Sequence, residues 1–179
     1  MVSKFIVYVC PVGELGEQLE TYFQKSREVC GVNTAHKYMP HCTLTSFFED
    51  ETTAIPTYIQ SLDRSYNKAL PNRTQPALVI ADLQFKPDWH GFELESPWVR
   101  EIIIDFVRRT HSPTQREKLR SKEWLHLSLA YDFQPRLYKT LVEIAQETVD
   151  PKASVNWELR FYERHPDWSW TCHKSWKLD

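Results

Sequence analysis

Two short stretches hold residues whose types and spacing suit proton-transfer chemistry: PHCTLTSFF, from Pro40 to Phe48, and LHLSLAY, from Leu125 to Tyr131. Each places a histidine two residues before a hydroxyl, His41 before Thr43 and His126 before Ser128. In a strand, residues two apart share a face, so each imidazole would point the same way as its hydroxyl. Histidine titrates nearest neutrality, so one of a facing pair can act as base on an attacking water and the other as acid on the leaving oxygen. Thr43 and Ser128 would donate hydrogen bonds to non-bridging phosphoryl oxygens, where charge builds up. Of the 7 histidines, His173 also precedes a hydroxyl, in HKSW, so the bare pattern is weak. His173 has no helix after it and sits among Trp170, Lys174 and Trp176, which marks it as structural.

The elements that must position the pair follow from periodicity. KFIVYVC, Lys4 to Cys10, reads as a first strand closed by Pro11 and Gly13, and Glu14 to about Cys30 keeps helical spacing up to Gly31. Pro40 to Phe48 reads as the second strand, with Cys42, Leu44 and Ser46 on the face away from His41. A helix follows, with apolar positions Ile55, Tyr58, Ile59, Leu62, Tyr66 and Leu70 and Pro56 in its first turns. ALVIADLQFK and WHGFELE read as strands joined through PDWHG. Ser96 and Pro97 fit the N-cap and first position of a helix running to about Arg109. Ser112 to Glu123 reads as a polar loop, Trp124 to Phe133 as a strand, and Pro135 to about Thr148 as a helix. SVNWELRFYER and WSWTCHKSWKL close the chain as a hairpin. A strand with a histidine, then a helix, then strands occurs twice, which suggests two related lobes within one domain spanning 1–179.

Composition narrows the class. A chain of 179 residues can bury a substantial core as one unit, and 7 Trp, 8 Tyr and 9 Phe add stacking surfaces. Lys+Arg 22 against Asp+Glu 24 gives a net charge of -2, which is not the footprint of a protein that coats long double-stranded nucleic acid. A small anionic ligand needs only a few local donors. The 4 cysteines, Cys10, Cys30, Cys42 and Cys172, form no C-x-x-C pair, and no leader or apolar run of membrane-spanning length is present. Reduced thiols, a cytoplasmic location, no membrane association and a monomer are the expectations. Adjacent strand residues point to opposite faces, so His41 and Cys42 do not make a metal pair, and no zinc-like spacing exists.

The paired motifs His41-Cys42-Thr43-Leu44 and His126-Leu127-Ser128-Leu129 resemble those of the 2H phosphoesterase superfamily. PHCTLTSFF, GFELESPWVREI, WLHLSLAYDF and WELRFYER resemble in particular the phosphoesterase domain of the suppressor of T-cell receptor signalling proteins. The likeness runs by residue from about Pro40 to the end, and by element type before that. It implies an α+β fold of two pseudo-symmetric lobes, each an antiparallel sheet backed by helices, with the motifs facing one another across a central cleft. It further implies hydrolysis of cyclic phosphodiesters without a metal or other cofactor. The substrates would be 2',3'-cyclic nucleotides or cyclic-phosphate RNA ends, with His41 and His126 as acid and base and Thr43 and Ser128 on the phosphate. Without the relatives' ubiquitin-binding, SH3 or phosphatase modules, a free-standing enzyme is expected.

Strand parity adds flanking candidates. Thr45 and Phe47 share the His41 face, and Tyr8 lies on the polar-leaning side of the first strand with Lys4. Phe47 or Tyr8 would stack a nucleobase, against the commoner role of core aromatic. Tyr131 falls on the leucine side of its strand and is assigned to the core. Lys118 or Lys122 in REKLRSKE would hold phosphate, or the run is a solvated loop; PDWHG is a cleft rim or a turn. Two other functions fit the same cleft: a nucleotide- or RNA-end-binding module without turnover, and a phosphodiesterase acting on linear oligonucleotides or 2'-5' bonds.

Overall fold

A computed structural model describes residues 1–179. Eight strands and four α-helices follow one another along the chain: β1 Val2–Val12, α1 Glu14–Cys30, β2 Cys42–Thr43, β3 Phe48–Glu51, α2 Ile55–Ala69, β4 Val79–Phe85, β5 Trp89–Glu95, α3 Pro97–Arg109, β6 His126–Tyr131, α4 Tyr138–Thr148, β7 Asn156–Arg164 and β8 Trp170–Lys177. All pairings are antiparallel, in the order β4-β5-β6-β2-β1-β7-β8, with β3 also on β1. Two three-stranded halves, β4-β5-β6 and β1-β7-β8, are thus joined through the two-residue strand β2. The expected α+β fold of two halves around a cleft is the one observed, with the halves continuous in a single sheet.

One face of that sheet is dry. Phe5, Val7 and Val9 of β1, Leu127 and Leu129 of β6, and Trp157, Leu159 and Phe161 of β7 join Leu19 of α1, Leu62 of α2, Ile102 of α3 and Ile144 of α4 in one continuous core. The helices pair as α1 with α4 and α2 with α3. Period-two alternation in the strands and the apolar stripes of the helices both feed this side, which leaves the opposite face of the sheet free for chemistry. Helix starts follow the sequence signals: Ser96 accepts a hydrogen bond from the Val99 amide at 3.1 Å, with Pro97 opening α3.

The stretch 40–48, expected as one strand, is divided. Tyr8 pairs with Thr43 and Val9 with Cys42, whereas Phe5 pairs with Phe48, so the register against β1 slips by two residues in between. The Thr45 hydroxyl fills the gap by accepting the Val7 amide hydrogen at 3.0 Å. A slip of two preserves side-chain alternation, so His41, Thr43 and Phe47 stay on the open face. The polar loop 112–123 is likewise tied down: Ser121 bridges Thr45, Lys122 N–H donates to the Leu44 carbonyl at 2.8 Å, and Leu119 is buried.

Candidate active site

The open face holds a cavity of about 480 Å³ at the junction of the two half-sheets, lined by His41, Thr43, His126 and Ser128 together with Tyr8, Tyr38, Phe47, Trp89, Lys122, Trp124 and Tyr131. Both motifs of the sequence therefore open into one space. The core-facing partners Cys42, Leu127 and Leu129 are buried beneath it.

Each imidazole is locked by the same local device. His41 Nδ1 donates to the Met39 carbonyl at 2.7 Å, and His126 Nδ1 donates to the Trp124 carbonyl at 3.2 Å. A carbonyl only accepts, so the neutral rings carry their proton on Nδ1 and keep the Nε2 lone pair without a protein partner. Burial holds His41 down to about 4, the Met39 carbonyl opposing and the charge of His126 adding to the effect. Burial also lowers His126, with the Trp124 carbonyl opposing; Lys122 lowers it further, and Glu93, its partner across β5, raises it. The two rings are thus similar in tautomer and unequal in environment.

Aromatic side chains fix the rings in place. The Tyr8 ring lies 4.0 Å from the His41 ring, centre to centre, and is only 1% exposed. It acts as a floor for His41, which takes the face expected to stack a base. Tyr38 approaches His41 at 5.3 Å on another side. On the other half, Trp124 stacks on His126 at 3.7 Å with planes 23° apart, and Trp89 meets the same ring edge-on at 5.7 Å.

The Trp89 indole N–H donates to Ser128 Oγ at 2.9 Å. This bond occupies one acceptor site of the hydroxyl and leaves its O–H free to donate. Gly91, two residues on and on the same face, makes room for it: a Cβ there would stand 2.5 Å from the Trp89 ring and 2.3 Å from the Leu127 carbonyl oxygen. PDWHG is therefore a wall of the cleft as well as a turn.

Phe47 lines the cavity and stays half-buried. Thr45 is fully buried with its hydroxyl committed to Val7, a backbone role. Lys122 reaches the cavity, whereas Lys118 lies on the outer loop surface. Tyr131 packs against the core, as expected, and also lines the cavity. Gly91 pairs with Ser128 but His90 pairs with Ala130, leaving Leu129 as an extra residue that breaks the alternation and lets Tyr131 reach the cleft. His173 lies outside the site, bonded to the buried Glu163 carboxylate at 2.8 Å.

Trp124, Tyr38 and Met39 lie outside the sequence motifs, and Trp89 enters only as part of PDWHG. A signal existed for Trp124, which shares strand parity with His126 and Ser128. No three His, Cys, Asp or Glu side chains gather in an arrangement that could hold a metal ion. All cysteines are free thiols, Cys10 and Cys42 fully buried. No helix is long and apolar enough to cross a membrane.

No family model matches the chain. It is similar to ecdysteroid-phosphate phosphatase of Bombyx mori, 29% identical over 171 residues that cover 91% of this chain and 25% of that protein. Ubiquitin-associated and SH3 domain-containing protein A of Mus musculus is 29% identical over 165 residues, 90% of this chain and 26% of that protein. Protein B of the same name from Homo sapiens is 27% identical over 168 residues, again 90% of this chain and 25% of that protein. The chain spans about a quarter of the length of the curated relatives it matches. Residues 40–179 make up less than nine tenths of the chain, so the likeness, read residue by residue only from Pro40, extends back into the first helix. The last two relatives carry a phosphoesterase domain.

Proposed function

We propose that the chain is a phosphoesterase that opens cyclic phosphodiesters, with 2',3'-cyclic nucleotides or cyclic-phosphate RNA ends as substrates. The observation that carries this reading is the matched pair of imidazoles, each held by the carbonyl two residues behind it and each with a free Nε2 in the same cavity. The relatives named as phosphatases agree with phosphoester chemistry at the coarse level, but those names belong to proteins about four times as long.

In this reading the more strongly depressed His41 is the base. His41 Nε2 takes a proton from water as the water oxygen bonds to phosphorus. The bond from phosphorus to one ribose oxygen breaks, and that oxygen takes the proton on His126 Nε2. The product is a phosphate monoester, and one proton exchanged with solvent through each ring resets the pair. Thr43 and Ser128 donate to the non-bridging oxygens, and Lys122 adds positive charge nearby. His126 has Glu93 across the strand to favour its protonated form, and a bound phosphodiester anion favours it further.

The test is turnover of 2',3'-cyclic nucleotides by the intact protein in the presence of a chelator. His41→Ala and His126→Ala should each lower kcat by about 10²- to 10⁴-fold with unchanged thermal melting. Activity that survives both substitutions ends the assignment, and binding without product favours the module reading.

A further inference from the structure

Beyond the cavity, on the same face of the sheet, stands a cation that the acid-base pair does not use. Arg164 ends β7 directly across from Lys4 of β1, four residues along that strand from Tyr8, or about 13 Å by strand rise. Lys4 is paired with Glu49 at 3.1 Å, but Arg164 makes no ion pair, and its buried Nε has no hydrogen-bond partner. Its guanidinium lies against two rings instead, 5.3 Å from the centre of Phe47 and 4.3 Å from that of Trp168. Lys37 Nζ approaches Trp168 at 5.2 Å.

The aromatics connect this cation to the catalytic cavity without a break. Phe47 lines the cavity and carries Arg164; Tyr38 lies between His41 and Trp168, at 5.3 and 5.9 Å from their ring centres. A half-buried guanidinium that has no ion pair and lies against two rings presents a fork that matches phosphate oxygens, and Trp168, 41% accessible, adds an exposed aromatic surface beside it.

We infer that Arg164, flanked by Phe47 and Trp168, binds a second phosphate of the substrate, one nucleotide away from the phosphate held between the histidines. This rests on the phosphodiesterase reading and narrows it: the preferred substrate carries a further phosphate, as a 5'-phosphate or as the neighbouring linkage of an oligonucleotide end. The net charge of -2 is no obstacle, because the contact is local.

Binding tests it independently of turnover. Three probes are titrated against the full chain by calorimetry: a nucleoside 3'-monophosphate, a nucleoside 3',5'-bisphosphate, and a dinucleotide bearing a 3'-phosphate. The bisphosphate or the dinucleotide should bind about tenfold more tightly than the monophosphate, and which of them gains identifies the source of the second phosphate. Arg164→Gln should abolish that gain while the monophosphate affinity stays within twofold. Trp168 sits at φ 65, so Trp168→Gly removes the ring where glycine is at ease; it should remove part of the same gain in a protein that melts normally. Equal affinities of wild type for all three probes, or equal losses for all three in Arg164→Gln, overturn the inference. Loss of turnover in the histidine variants is unaffected by either result, so the two readings fail separately.

Discussion

Cys42 and Leu127 face one another across the antiparallel junction of β2 and β6, and they are the single pair that joins the two half-sheets. Counting one residue outward in opposite directions sets Thr43 across from His126 and His41 across from Ser128. Each imidazole therefore stands beside the hydroxyl of the other motif as well as near its own. A shift of one residue at this junction would turn one motif into the core, so the buried Cys42 and Leu127 hold the site by holding the register.

The Trp89–Ser128 bond rests on the absence of a side chain at Gly91. Gly91→Ala places a methyl group against both the Leu127 carbonyl and the Trp89 ring and should cost about 1–3 kcal/mol, read from denaturant unfolding. Trp89→Phe keeps the aromatic wall and loses only the N–H donor. It should lower kcat about tenfold with little change in KM, because the bond orients the hydroxyl rather than touching substrate. A change in KM alone would show that Trp89 serves binding and not orientation.

Rate should depend on pH through two depressed imidazoles. A neutral base and a protonated acid give a bell, and burial lowers both groups, His41 to about 4. The maximum of kcat/KM should therefore lie on the acid side of the ordinary histidine value of about 6.5, and that of kcat higher, because bound phosphate favours the imidazolium. Lys122 depresses His126, so Lys122→Gln should carry the falling limb of kcat/KM to higher pH. A limb that stays in place removes His126 from the acid role.

Stability should also depend on pH, through His90. This side chain is fully buried among Phe85, Phe133 and Tyr138, neither ring nitrogen has a partner, and burial holds it down to about 4. The unfolded chain protonates it near 6.5 and the folded chain does not, so between these values the unfolded state binds more protons. Folding stability is then full above about pH 6.5 and falls as pH drops towards 4, by about 2 kcal/mol at pH 5 from this residue. In His90→Leu the gap between unfolding free energies at pH 7.5 and pH 5 should shrink by that amount. An unchanged gap would mean that His90 is solvated in the native state.

Much of this was legible from residue order. The start of α3 at Ser96-Pro97 and the β7–β8 hairpin are local signals, and the two His-x-hydroxyl motifs needed only strand parity to face one way. What escaped had non-local causes. The division of residues 40–48 depends on Thr45 capping Val7 from another strand, and the reach of Tyr131 into the cleft depends on a bulge that appears only when β6 meets β5. In the sequence Arg164 is one charged residue of the closing hairpin. Its lack of a counter-ion is a fact of pairing, which no single strand records.

The carbonyls behind His41 and His126 have a consequence for the direction of the chemistry. The two acid-base groups share a tautomer, and each stands beside the other's hydroxyl; their unequal surroundings set His41 as base and His126 as acid, so a substrate turned end for end would meet the same pair and be cut at its other ester oxygen. In the proposed reaction, the choice between cutting towards the 2' or the 3' oxygen is then made by the walls. The half built from Tyr8, Tyr38 and Phe47 and the half built from Trp89 and Trp124 differ in shape and in the polar groups they present, and in this reading that difference orients the substrate. Reshaping one wall should reverse regiochemistry while the histidines stay as they are.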